Sequence, residues 1–464
     1  MNITALKENA KTLAAALGID EDTAETLLDA SVLITVDAAD EVGTRMATEL
    51  ELLLQRTVSA VTRDIDSVKQ PDVEVIIGTS ASRSRTKCLF VGITDERIEI
   101  GEARRESQVS SIRHQAFLLI GACFTAAKAL ACYLGERFPF SVDELLIIDF
   151  RAIFGEDLDS FREPVDLGTV YLAGAGAVGN GFLYGLRYFD VQGTIHVVDP
   201  KLVKEGNLNR CMFYDKDDLG LQKANRLCSK AQPFFNKITL IPRNHDLRDS
   251  PERHAGRWLE RLVVTVDSRR GRRNLQNEMP GEVYDASTTG IQEVVVHFNQ
   301  QPTAGKACLS CIYLEENGEL THEGHVADLL GVGVDKVRET FIDSSAAMEI
   351  CRRYPTISPE AIQGTAYDSL FKQLCGQGEL QIAADKHVLA PFAFVSVLAG
   401  AMLAVEMVRR VRKGQAAVPY NYWRLAPYST PNIRGRYNRE KVDGCEFCGD
   451  PVRTKCCNQL WGID

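Results

Sequence analysis

With 464 residues, 45% of them hydrophobic and 25% charged, the chain has the make-up of a globular protein large enough for two or three domains. A formal net charge of −10 argues against a nucleic-acid-binding surface and is compatible with a basic protein partner. Thirteen cysteines, behind an N-terminus (MNITALKENAKTLAAALGID) without the pattern of a secretory leader, point to a cytoplasmic protein. Its thiols are then expected to be reduced, metal-bound or catalytic rather than paired in disulfides.

Residues 1 to about 60 are rich in helix formers, as in ELELLLQRTVSAVTR, and are expected to be helical. Short apolar runs then read as strands: VEVIIG (73–78), CLFVGI (88–93), RIEI (97–100) and ELLIIDF (144–150). A long apolar helix is expected near 113–136. This alternation predicts a small α/β domain over 1–163, without a glycine loop or a catalytic cluster, closed by the charged connector FGEDLDSFREP (154–164). Two runs, QAFLLIGACFTAAKALACYL (115–134) and LAPFAFVSVLAGAMLAVEMV (389–408), approach the length of a membrane span. Lys128 and Glu406 interrupt them and both are rich in small residues, so they read as buried core helices and no membrane is expected.

From about 164 a second α/β unit begins. TVYLA (169–173), TIHVVD (194–199), ITLI (238–241) and LVVTVD (262–267) are strand candidates. The helical stretches GAGAVGNGFLYGLRYF and LGLQKANRLCSKAQPFF (219–235) separate them. Strand and helix alternating at this rhythm predict a mostly parallel, Rossmann-like sheet with right-handed crossovers, over 164–464. Ligands of such sheets bind at the carboxyl ends of the strands.

Gly174, Gly176 and Gly179 follow a strand and open a helix, the setting in which glycines let a backbone approach a phosphate. Asp199, twenty residues past Gly179, is placed to accept hydrogen bonds from ribose hydroxyls. The residues after Asp199 depart from a nicotinamide site. GNLNRC (206–211) supplies Asn207, Asn209 and Arg210, the next helix supplies Lys223, and Asp267 ends a further strand ahead of SRRGRRN. Arg and Lys suit the charge that develops on phosphoryl oxygens, so ATP is the expected nucleotide. A strand-terminal aspartate suits its Mg²⁺.

In this ordered set the sequence resembles the ubiquitin-activating-enzyme superfamily, the ThiF/MoeB-type adenylyltransferases that include those of molybdopterin and thiamine biosynthesis. The resemblance covers roughly 165–315 and 385–450. It implies that Asp199 binds ribose, that Asn207, Arg210 and Lys223 bind phosphates, and that Asp267 binds Mg²⁺ near the α-phosphate. Cys211, Gly206 and Ser268 stand where the family usually has glutamine, serine and asparagine, departures that remove no charged group. Residues 60–160 resemble a degenerate copy of the same fold, serving as scaffold and docking surface. An inactive copy joined to an active one resembles bacterial ubiquitin-like conjugation systems associated with antiviral defence.

Two Cys-x-x-Cys knuckles, Cys308/Cys311 and Cys445/Cys448, suit a closed tetrahedral Zn²⁺ site with a structural role. Cys88, Cys123, Cys132 and Cys228 read as core residues, and Cys456 and Cys457 as adventitious thiols near the end of the chain. Between the knuckles, about 315–385 reads as an insertion of several short helices. In relatives that pass an activated tail to a cysteine, the nucleophile sits in or beside such an insertion. Cys375, where a helix meets a glycine-rich loop, is the favoured candidate; Cys351, flanked by two arginines able to lower a thiol pKa, is the other.

The reading is an ATP-dependent activating enzyme that adenylates the C-terminal glycine of a ubiquitin-like protein. It then takes the acyl group as a thioester and hands it to a ubiquitin-conjugating-type enzyme. A homodimer is expected from the resemblance, with an internal pseudo-dimer as the alternative. Other outcomes of the same adenylation are sulfur-carrier activation in molybdopterin- or thiamine-type biosynthesis and peptide modification without a catalytic cysteine. A non-catalytic scaffold or a dehydrogenase accounts poorly for Arg210, Lys223 and Asp267 together.

Overall fold

The computed structural model describes residues 3–67, 70–104, 112, 114–155, 157–300, 305–314, 319–376, 391–413 and 419–462. In the first domain, Ile3–Leu17 (α1) and Glu21–Leu28 (α2) precede Ser31–Val36 (β1), Glu41–Leu54 (α3) and Ala60–Thr62 (β2). Val73–Ile77 (β3), Lys87–Thr94 (β4), Arg97–Gly101 (β5), Gln115–Leu134 (α4), Leu145–Asp149 (β6) and Phe150–Phe154 (α5) come next. The strands form one sheet in the order β2-β1-β3-β4-β5-β6. Its first four strands are parallel, and β5 and β6 add antiparallel at one edge.

Strand β1 lies inside the stretch expected to be helical. Its run SVLITV is buried at four successive positions, Val32 to Thr35, which is how an inner parallel strand reads: apolar and β-branched, without alternation. Helix α4 is buried almost throughout; Lys128 is buried with it and satisfies its ammonium by donating to the Asp143 carbonyl. It is long and apolar enough to cross a membrane by length and composition, and it lies within the core.

The second sheet is built from Val165–Ala173 (β7), Val191–Val198 (β8), Ile238–Arg243 (β9), Arg261–Val264 (β10), Glu282–Thr289 (β11), Glu293–Asn299 (β12), Tyr422–Leu425 (β13) and Arg436–Tyr437 (β14). The order is β14-β13-β12-β11-β10-β7-β8-β9, parallel from β11 to β9 and antiparallel beyond β11. The crossovers diverge between β7 and β10, the switch point at which such sheets take ligands. Ala177–Leu186 (α6) follows β7, Lys223–Ala231 (α7) follows β8, and Arg269–Gln276 (α8) follows β10. The antiparallel strands β12 to β14 carry no glycine-loop or metal signature, and the sequence alone did not announce them.

Leu309–Ile312 (α9) carries the first cysteine knuckle, and then comes the helical insertion. Glu319–Leu330 (α10), Val334–Arg338 (α11), Ser344–Arg353 (α12), Pro359–Ile362 (α13) and Tyr367–Gly376 (α14) enclose their own small core of Val326, Leu330, Ile350, Tyr367, Leu370 and Leu374. This body docks on α8: Arg270 pairs with Glu323 at 3.0 Å, and Asn274 donates to Thr340. Ala393–Lys413 (α15), the second apolar run, and Pro451–Trp461 (α16) complete the chain.

Helix α15 packs on α6 through small residues. A Cβ on Gly400 would lie 2.2 Å from the Phe182 nitrogen, so any larger side chain there forces the two backbones apart. Helix α4 also packs on α15, and one continuous core runs through both domains. A buried polar group fastens the seam: Glu49 of α3 accepts a 2.8 Å hydrogen bond from Tyr184 and contacts Tyr188 and Arg187.

Candidate nucleotide site and cysteine knuckle

The glycine loop owes its course to close backbone contacts. Gly174 has φ +107° and donates to the Val198 carbonyl at 2.9 Å; a Cβ there would meet Thr265 at 3.0 Å. At Gly179 a Cβ would stand 2.1 Å from the Gly174 carbonyl oxygen. Gly176 differs: a Cβ there meets nothing within 4 Å, so this residue faces open space. It is also the N-cap of α6 and contributes no side-chain cap, which leaves the first amides of that helix available to an anion.

Asp199, buried at the end of β8, accepts the Ala175 amide at 2.8 Å with one oxygen and the Lys201 amide at 2.8 Å with the other. Asn180 braces the loop by donating to the Ala175 carbonyl at 3.0 Å, and Tyr214 donates to the same oxygen at 2.8 Å. The carboxylate of Asp199 is therefore held at the mouth of the glycine loop before any ligand arrives.

Near it gather Lys201, Lys204 and Lys223. Lys223 is buried, and its ammonium is pushed down by that burial and by Lys201, against the pull of Asp199. Lys204 keeps an exposed side chain, yet its ammonium falls to about 8, through enclosure of the charge first and then repulsion by Lys223 and Lys201. Asp267, just past β10, is half exposed; enclosure raises its carboxyl, but Lys201 and Lys223 outweigh this and hold it at about 2. Its Oδ2 lies 3.7 Å from Lys201 Nζ and accepts a 3.2 Å bond from Ser369 of α14. This is a cation-rich pocket at a helix N-terminus, with the exposed carboxylate of Asp267 at its rim.

GNLNRC supports the pocket from the side. Asn207 accepts the Lys204 amide at 2.9 Å, fixing its own turn. Asn209, fully buried, donates to Asn9 of α1 at 2.7 Å, and Arg210 leans on Asn209 at 3.5 Å. The N-terminal helix is thus part of the wall, a link across 200 residues that local spacing does not reveal. Cys211, at the family's usual glutamine, is buried and its thiol is pushed up, chiefly by burial.

Cys308, Cys311, Cys445 and Cys448 come together, with all four sulfur atoms within 4.8 Å of one another. Their separations of 3.7 Å (308–311), 3.7 Å (308–445) and 3.3 Å (311–448) can be compared with a tetrahedral Zn²⁺ bound at about 2.3 Å, which spaces its sulfurs about 3.8 Å apart. The donor set fits zinc and leaves no open position for catalysis. Cys457, expected to be adventitious, is instead buried beside this cluster with Phe447, while Cys456 is exposed. Tyr313, two residues past Cys311, donates to Asp285 at 2.6 Å, and Asp285 holds Arg272. Arg272 in turn donates to the Val266 carbonyl, so the knuckle buttresses the backbone beside Asp267.

Cys375 falls in the last turn of α14, six residues beyond Ser369, and its side chain lies outside the described residues. Cys351, on α12, is packed against the insertion core. Its thiol is raised, by burial and then by Glu360, so the adjacent arginines do not activate it; Arg353 donates instead to the Asp328 carbonyl at 2.8 Å.

Residues 152–446 match the ThiF family, and residues 2–148 match the E1 N-terminal domain. The chain belongs to the ThiF family, among the E1-like adenylyltransferases. A relative, the uncharacterized protein y4jF of Sinorhizobium fredii (strain NBRC 101917 / NGR234), is 27% identical over 375 residues, 74% of this chain and 69% of its own. Among solved structures, E. coli MccB with MccA aligns over 78% of this chain and 98% of that one, at 14% identity and a TM-score of 0.39. PaaA aligns over 59% and 72%, at 13% identity and a TM-score of 0.33. Family membership rests on the domain match.

Proposed function

We propose that this adenylyltransferase is the activating enzyme of a ubiquitin-like protein. The observation that carries the reading is the open glycine loop with Lys201, Lys204 and Lys223 clustered beside Asp199 and Asp267, and α14 of the insertion bonded to Asp267 at the rim. A single exposed carboxylate suits Mg²⁺, which is commonly held by one or two carboxylates plus substrate phosphates. In this reading Asp199 receives the ribose, Asn207, Arg210 and Lys223 the phosphates, and Asp267 the metal of MgATP.

A carboxylate oxygen of the carrier's C-terminal glycine attacks the α-phosphorus, the bond to the bridging oxygen breaks, and pyrophosphate leaves. Arg210 and Lys223 stabilise the charge on the phosphoryl oxygens, so the step runs on positioning and electrostatics. The Cys375 thiolate then attacks the acyl carbon, the anhydride C–O bond breaks, and AMP departs. The thioester passes to a conjugating-type enzyme. What supports this second step is the position of α14, whose first turn touches the metal-binding carboxylate and whose last turn carries Cys375.

The test pairs two cysteine variants. With MgATP and a panel of ubiquitin-like carriers ending in glycine, the wild-type protein and Cys351→Ala form an adduct cleaved by reductant. Cys375→Ala forms none, yet still exchanges pyrophosphate. The opposite pattern transfers the nucleophile to Cys351, and an adduct-free wild type that still exchanges is an enzyme that stops at the adenylate.

A further inference from the structure

Lys201 stands between three residues of the pocket. Its amide donates to Asp199 at 2.8 Å, its carbonyl accepts the Lys223 amide at 2.9 Å, and its ammonium lies 3.7 Å from Asp267 Oδ2. The side chain is only 20% exposed, so the backbone contacts aim it rather than leaving it to wander in solvent. Asp267 sits in cation-rich surroundings, with Lys201 and Lys223 both acting on it. Asp199 spends an oxygen on each of two amides, and among the described residues the only cluster of three or more His, Cys, Asp or Glu able to hold a metal is the four cysteines. One carboxylate makes a weak Mg²⁺ site until phosphate oxygens join it. A neighbouring ammonium weakens it further, because like charges a few ångströms apart repel.

We propose that Lys201 is the resident counter-ion of Asp267, excluding a free divalent cation from that carboxylate and turning to the polyphosphate when the nucleotide brings its own metal. The role rests on the nucleotide reading of this pocket. It makes metal and nucleotide enter together and keeps the pocket from being filled by Mg²⁺ alone.

The two halves of this role predict opposite effects of one substitution. Mn²⁺ binding without nucleotide, read as loss of the free-ion paramagnetic signal, is weak in the wild-type protein. In Lys201→Gln it tightens about tenfold or more, since removing a unit charge at this distance is worth at least that near a surface. Adding Asp267→Asn to Lys201→Gln abolishes the gain, which locates the ion. MgATP binding by calorimetry weakens about tenfold in Lys201→Gln, the loss of one phosphate contact. Lys201→Arg keeps the charge and stays near wild type in both measurements. Mn²⁺ affinity that is unchanged or weaker in Lys201→Gln overturns the proposal while leaving the nucleotide site intact, and so does unchanged MgATP affinity. A wild-type protein that binds no MgATP overturns the nucleotide reading and this role with it.

Discussion

In the first domain β1 ends at Val36 and the chain enters α3 through Asp37-Ala-Ala-Asp40; in the second β7 ends at Ala173 and enters α6 through Gly174-Ala-Gly176. Both are a parallel strand, a tight turn and a helix whose far side packs into the shared core. At α3, Asp40 caps the helix with its own carboxylate, accepting the Gly43 amide at 2.9 Å, and Glu41 adds charge to the first turn. The same carboxylate crowds Gly78, where a Cβ would lie 2.7 Å from it. At α6 the cap is a bare glycine, and the nearby cations face Asp199 and Asp267. A helix N-terminus attracts one anion; the first domain supplies it from its own chain and the second leaves it to a ligand.

The widest gap between the two units is expected in catalysis. Arg210→Ala or Lys223→Ala lowers carrier-dependent pyrophosphate exchange about 10²–10⁵-fold, as loss of a charge-stabilising phosphate contact does. Asp40→Ala leaves the rate as it is. A comparable loss from Asp40→Ala would mean that the first unit also handles nucleotide.

The cysteine knuckle closes the second domain, so metal loss strikes there first. Metal analysis is expected to find about one Zn²⁺ per chain, and Cys308→Ser or Cys445→Ser to lose it together with the folded second domain, because such binding is coupled to folding. Metal-free protein with an unchanged melting profile contradicts this.

The seam is the next point of attack. Glu49→Ala strands Tyr184, Tyr188 and Arg187 in a buried setting and costs about 3–5 kcal/mol, measured by denaturant titration. His114, the buried cap of α4, is pushed down to about 4 by burial first and then by Arg162. Its folded pKa lies below the ordinary 6.5, so the unfolded chain binds the proton more readily between those values. Stability from this group is complete above 6.5 and is lost as pH falls towards 4, about 3 kcal/mol in all. His114→Phe should flatten that part of the stability–pH curve. The smallest effect is Asp40→Ala on stability, about 1 kcal/mol for a lost cap.

The pocket was legible where its parts are close in sequence and constrained by type. Glycines after a strand, an aspartate at the next strand end, and GNLNRC keep fixed spacing because each sits at the end of neighbouring parallel strands. Lys201 and Lys204 were passed over, since two lysines after a strand look like ordinary loop charge until Asp267 and Lys223 are seen beside them. Ser369 and Asn9 were invisible for another reason: they reach the site from 102 and 200 residues away. The four knuckle cysteines were legible across a long gap because thiolate ligands come in pairs with fixed spacing. Strand β1 was lost among helix formers because a doubly buried strand shows no alternation. The arginines beside Cys351 misled, since adjacency in sequence put Arg353 on a carbonyl rather than on the thiol.

The account turns on Asp267 and the loop it faces. Purified protein is mixed with MgATP, labelled pyrophosphate and a ubiquitin-like carrier ending in glycine, and label entering ATP is followed for wild type and Asp267→Ala. Carrier-dependent exchange in the wild type, abolished in a folded Asp267→Ala variant, is the predicted result. Exchange that survives Asp267→Ala unchanged contradicts an adenylation site built on this carboxylate.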